Sequence, residues 1–158
     1  MSEDLQISKG DKAEQYQNLI PQIKGLILGE PDLIANLANI TAALKEQFGW
    51  LWVGFYLVKN EALVLGPFQG PIACTRIKKW RGVCGTCWAE EKVLIVADVE
   101  KFPGHIACSA LSKSEIVLPL FKNALVYGVL DIDSSELAQF DEIDKLFLQQ
   151  IIDLIELP

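Results

Sequence analysis

Four cysteines, one histidine and a set of carboxylates hold the chemistry open to this chain. The thiols are Cys74, Cys84, Cys87 and Cys108, and they share one segment, residues 69–114, with His105. The run "KFPGHIACSALSKSE", residues 101–115, sets Cys108 three residues after His105 and seven before Glu115. A buried structural cysteine needs no such company.

Three chemistries suit these residue types. Cys84-Gly-Thr-Cys87 and His105-Ile-Ala-Cys108 form a C-x2-C and an H-x2-C pair, and tetrahedral zinc accepts Cys3His ligation of this kind. Cys84 and Cys87 alone have the spacing of a redox dithiol, although such a motif wants a buried strand before it and a helix after it. The third reading makes Cys108 a nucleophile and another loop cysteine its resolving partner. A resolving thiol turns a sulfenic acid into a reducible disulfide before it over-oxidises. Each thiol also suits a plain core position, because free cysteine is among the most buried residue types.

Carboxylates flank the same segment. Glu115 opens a strand, and Asp131 and Asp133 close another with only Ile132 between them. The two-residue period of a strand points both aspartates to one face. Like charges so close raise at least one pKa and leave a protonated acid near neutrality. An aromatic group, Trp50, Trp52, Phe55 and Tyr56, lies along the first strand. Alternation sends Trp50 and Trp52 to one face, where one ring can wall a small pocket.

The elements that must position these groups follow from periodicity. Residues 1–11 read as a polar tail and residues 12–158 as one domain. A helix from Asp11 to about Leu28 carries Tyr16, Leu19, Ile20, Ile23 and Ile27 on one face and stops at Gly29. Pro31 opens a second helix whose apolar face holds Leu33, Ile34, Leu37, Ile40, Leu44 and Phe48, ending at Gly49. Residues 50–58 and 61–68 form a hairpin, 92–98, 115–121 and 125–133 give three more strands, and 139–157 return to helix. Connections this short favour a mainly antiparallel sheet in an α+β fold, with helices from both chain ends on one face. Residues 69–114 read as a long irregular segment, and such segments are usually functional.

Composition narrows the partners. The chain has 158 residues, 51% hydrophobic and 22% charged, with net charge −7 and a pI near 4.7. An acidic surface cannot hold a phosphate backbone, so nucleic acid is excluded as a partner. No apolar run reaches the roughly 18 residues of a membrane span, and the acidic N-terminus lacks a signal-peptide core. The chain reads as cytoplasmic, where thiols stay reduced and a stabilising disulfide framework is not expected.

The motifs "GPIAC", "RGVCGT", "VADV", "FPGHIAC", "SEIV" and "GVLDIDS" together resemble the free methionine-(R)-sulfoxide reductases, small enzymes with a GAF-domain fold. The resemblance spans roughly residues 12–156. It implies Cys108 as catalytic cysteine, with Cys74 and Cys84 as resolving cysteines and Cys74 as the favoured disulfide partner. It implies Glu115, Asp131 and Asp133 as acidic substrate ligands, Trp52 as the ring packed on the substrate methyl group, and Asp98 as a further pocket residue. It also implies a homodimer, no bound metal or cofactor, and thioredoxin as the external reductant. On this reading a protonated Glu115 or Asp133 donates to the sulfoxide oxygen, while Asp131 binds the substrate ammonium. His105 is expected to order a turn. Cys87, Glu100, Ser109 and the Lys79-Trp80 pair depart from the family's pattern. The rivals are a non-enzymatic GAF sensor of a small ligand or of redox state, and a Cys3His zinc-binding domain.

Overall fold

The computed structural model describes residues 4–106 and 108–158, so the first three residues of the polar tail lie outside it. Its helices begin where a side chain satisfies free backbone donors. Helix α1 (Lys12–Ile27) is capped by Asp11, which accepts from the Glu14 amide at 2.9 Å. Helix α2 (Leu33–Phe48) is capped in the same way by Asp32 and stops at Gly49, whose φ of 64° closes a left-handed C-cap. Pro31 therefore precedes the cap rather than opening the helix. Ile34, expected on the apolar face, is exposed.

A six-stranded sheet follows: β1 (Trp52–Lys59), β2 (Ala62–Gln69), β3 (Arg76–Lys78), β4 (Leu94–Val96), β5 (Ser114–Lys122) and β6 (Leu125–Ser134). Its order is β3-β2-β1-β6-β5-β4 with antiparallel pairing throughout. Two-residue turns at Asn60-Glu61 and Asn123-Ala124, all at positive φ, close the two long hairpins. That geometry matches the twist of the strands it joins. The expected α+β architecture is the one observed.

Helices α1, α2 and α4 (Glu142–Asp153) cover one face, over a core that includes Val53, Phe55, Ile116, Leu118, Leu130 and Ile132. Asp144 ties the outer helices together: it is fully buried, takes Lys12 Nζ at 2.6 Å and accepts the Tyr16 hydroxyl at 2.6 Å.

The other face is covered by residues 70–113, where the expected irregular segment proves to be partly ordered. It holds β3, helix α3 (Gly82–Glu90), β4 and a 3-10 turn at Val99–Lys101. Trp50 and Trp52 do not share a face: Trp50 packs under the helices and Trp52 on the opposite side. Strand β1 begins only at Trp52, so alternation does not reach back to Trp50.

Candidate active site

Register alone gathers the acidic set. Trp52 and Gly54 on β1 stand opposite Asp133 and Asp131 on β6, and those aspartates stand opposite Glu115 and Val117 on β5. Cross-strand partners share a face. Trp52, Asp133 and Glu115 therefore form one row, and Gly54, Asp131 and Val117 the next. Gly54 makes room in its row for the neighbouring ring, because a Cβ there would lie 2.4 Å from Cη2 of Trp52.

Helix α3 forms the roof. A side chain on Gly85 would meet the Lys78 carbonyl at 2.4 Å, so the bare glycine lets α3 settle against the end of β3. That close approach brings Cys84 over the acids, with its Sγ 3.9 Å from Oε1 of Glu115. Cys87, one turn further, is buried and donates toward the Val117 carbonyl at 3.7 Å. It shares the apolar cluster of Cys84 but does not line the cleft.

Two aromatic residues of β1 hold the front wall. The Trp52 indole donates to the Pro71 carbonyl at 3.1 Å and stacks on Phe68 at 5.3 Å. The Tyr56 hydroxyl donates to the Cys74 carbonyl at 2.8 Å. Together they fix the segment that carries Cys74. Cys74 and Cys108 are joined in a disulfide, with S–S 2.04 Å and Cα atoms 5.7 Å apart. Cys108 is exposed at the rim while Cys74 is half-buried. The turn before Cys108 is a type II turn in which the His105 amide donates to the Phe102 carbonyl at 3.2 Å and Gly104 supplies φ 73°.

A cleft of about 600 Å³, counting its open mouth, lies between these walls. Trp52, Tyr56, Cys84, His105, Cys108, Ser112, Glu115, Asp131 and Asp133 all line it. The structure thus brings together every site residue expected from sequence except Asp98. That carboxylate lies outside the cleft and caps the 3-10 turn, accepting the Glu100 amide at 3.0 Å. The zinc tetrad is not assembled, because Cys108 is spent in the disulfide and Cys87 points to the sheet. Sequence reasoning missed Ser112, whose hydroxyl donates to Asp133 at 2.8 Å, and nothing in its local sequence marked it.

The electrostatics of the cleft set its protonation. Burial pushes the Glu115 carboxyl well above its ordinary range, and the charges of Asp131 and Asp133 add to that. Asp133 is raised well above its range for the same reasons, burial first and then Asp131. Asp131 is raised by burial, but hydrogen bonds from Glu115 and Cys84 oppose the rise. Asp131 is therefore the member best placed to carry the negative charge, with Glu115 protonated and donating to it. Its Oδ1 is buried without a hydrogen-bond partner among the described residues. Burial and the neighbouring acids push the Cys84 thiol well up. Burial lowers the pKa of His105, with the charge of Asp131 partly opposing.

The GAF domain pattern matches residues 32–157. The free methionine-R-sulfoxide reductase of Escherichia coli is 47% identical over 147 residues, covering 92% of this chain and 89% of that one. The chain belongs to the GAF-domain family of free methionine-R-sulfoxide reductases. Within that family, the crystal structure of the enzyme from Neisseria meningitidis in complex with its substrate superposes with TM-score 0.95 at 54% identity, covering 98% of this chain and 94% of that one. A GAF domain-containing protein A from Dictyostelium discoideum is 69% identical, covering 99% of both chains. Among the described residues, no helix is long and apolar enough to cross a membrane.

Proposed function

We propose that this protein reduces free L-methionine (R)-sulfoxide to methionine, with Cys108 as nucleophile and Cys74 as the resolving cysteine. The observation that carries the reading is the Cys74–Cys108 disulfide at the rim of a cleft lined by three carboxyls, Glu115 and Asp131 buried and Asp133 half-buried. Relatives named as free methionine-R-sulfoxide reductases, one of them crystallised with its substrate, support the substrate class.

The chemistry follows from the protonation of the floor. The orphaned Oδ1 of Asp131 accepts a hydrogen bond from the substrate ammonium, a charge-assisted contact. Trp52 walls the methyl group. A proton from Glu115 or Asp133 passes to the sulfoxide oxygen and makes the sulfur electrophilic, which general acid catalysis rewards with about 10²–10⁴-fold. Cys108 attacks that sulfur and gives its thiol proton back to the acid; the oxygen then moves from the substrate sulfur to Sγ as the new Sγ–S bond breaks, which leaves a sulfenic acid on Cys108 and releases methionine. The Cys74 thiol then displaces water from the sulfenic acid and forms the disulfide. A protein dithiol of the thioredoxin type takes the two electrons' worth of oxidation and restores both thiols.

His105 orders the turn that presents Cys108 and is not the base. The testing experiment offers the two sulfoxide epimers of free methionine separately to reduced protein. Reduction of the R epimer alone supports the proposal, and equal or no reduction of both overturns it.

A further inference from the structure

We propose that Cys84, Glu115 and Asp131 form a site for a thiophilic divalent cation, zinc by its ligand chemistry, and that the bound ion shuts the sulfoxide out of the cleft. One ligand atom from each residue, Sγ and two carboxylate oxygens, lies within 4.8 Å of the others. The thiol and Glu115 are already 3.9 Å apart. A tetrahedral zinc with Zn–S near 2.3 Å and Zn–O near 2.0–2.2 Å separates such ligands by about 3.5 Å. Small side-chain rotations therefore close the site.

A cluster of acids alone would carry little weight, and a second observation points to a cation. Asp131 is 6% exposed, and its Oδ1 is buried with no hydrogen-bond partner among the described residues. Among the described residues no lysine or arginine lies within 4.0 Å of these carboxylates, although Arg81 lines the same cleft. The donor set fixes the class of ion. Calcium and magnesium favour all-oxygen shells, whereas one thiolate with two carboxylates suits zinc. The three ligands come from α3, β5 and β6, which hold them rigidly, and the fourth position opens on the cleft. An open fourth position marks an exchangeable ion rather than a structural one. This set differs from the Cys3His tetrad suggested by sequence spacing and shares only Cys84 with it.

As the ion enters, the Cys84 proton and the proton held by Glu115 both leave to solvent, as metal binding by a thiol and a carboxyl requires. The ion then occupies Asp131, which the substrate ammonium needs, and takes the proton from Glu115, a consequence that rests on the function proposed above. Zinc binding itself does not rest on it.

The direct test uses oxidised protein, in which the Cys74–Cys108 disulfide removes both of those thiols as ligands. Equilibrium dialysis should find one zinc per chain, and cobalt in its place should show a sulfur-to-cobalt charge-transfer band. Cys84→Ala should abolish the band, and Asp131→Asn should weaken zinc binding on the order of tenfold or more. Cys87→Ala should leave both unchanged. Urea unfolding checks that each variant folds. No zinc bound by the folded wild-type protein, or unchanged binding in Cys84→Ala, overturns the site. In single-turnover mixing of reduced protein without dithiol, zinc should slow the methionine burst and excess sulfoxide should restore it. Inhibition that excess sulfoxide does not relieve overturns the exclusion. Absence of sulfoxide reduction under zinc-free conditions would overturn the function while leaving the zinc site standing.

Discussion

Glu115 on β5, buried, stands directly opposite Asp133 on β6, half-buried, and both are held well above the ordinary carboxylate range. Two acids in one antiparallel pair cannot both ionise cheaply, so the ladder stores at least one proton over the cleft. Activity that needs this proton falls as pH rises through the raised pKa. Glu115→Gln should lower kcat/KM by about 10²–10⁴-fold. Wild-type rates against pH should show a descending limb on the alkaline side, and a flat wild-type profile would count against proton donation.

The same stored proton sets a stability signature. The native chain keeps protons that the unfolded chain loses above about pH 4. Stability is therefore fully present below that pH and declines as pH rises toward the raised folded values. Removing the charge removes the penalty. Asp133→Asn should raise the urea midpoint relative to wild type, and by more at about pH 8 than at about pH 5. A difference that shrinks with rising pH would contradict the assignment.

Trp52 acts through its packing, so Trp52→Ala should lower kcat/KM by roughly 10–200-fold, the worth of one apolar pocket contact. Gly54→Ala should mimic it without touching the ring's chemistry, because the new Cβ would lie 2.4 Å from Cη2 of Trp52. Steady-state kinetics on both variants checks this. Full activity in Gly54→Ala would show that the ring's position does not matter.

Much of the site was legible because its parts are short and periodic. Alternation in "LDID" fixed Asp131 and Asp133 on one face, and the Pro-Gly turn before Cys108 is the one observed. Helix α3 was only half legible: residues 75–91 could give a helix, but its nine residues bury Val83, Cys84, Gly85 and Cys87 and give little amphipathic contrast to set its bounds. No side chain caps its start. Strand β3 is too short to show a period. The split of Trp50 from Trp52 depends on where β1 begins, which pairing with β6 decides. Asp98 was placed by likeness alone, and it proves to be a cap.

Asp144 carries the tie between α1 and α4, with Lys12 at 2.6 Å and the Tyr16 hydroxyl at 2.6 Å. Asp144→Ala leaves the buried Tyr16 hydroxyl unpaired while Lys12 keeps Asp141 at 3.2 Å, and should cost about 2 kcal/mol. Urea unfolding reads this loss, and a change within about 0.5 kcal/mol would show that the tie is dispensable.

Cys74→Ser separates resolution from attack. Reduced variant should release about one methionine per chain in a first burst and then stall, with a sulfenic acid trapped by a thiol-selective reagent. Sustained dithiol-driven turnover at the wild-type rate would remove Cys74 from its role.

The central claim is that Cys108 attacks the sulfoxide and ends in a disulfide with Cys74. It is tested most directly by mixing reduced protein with one equivalent of free methionine (R)-sulfoxide, without reductant, and mapping thiols by peptide mass. The account predicts one methionine formed per chain, loss of the Cys74 and Cys108 thiols alone, and no methionine from Cys108→Ser. Methionine formed by Cys108→Ser, or by wild type with all four thiols intact, would contradict it.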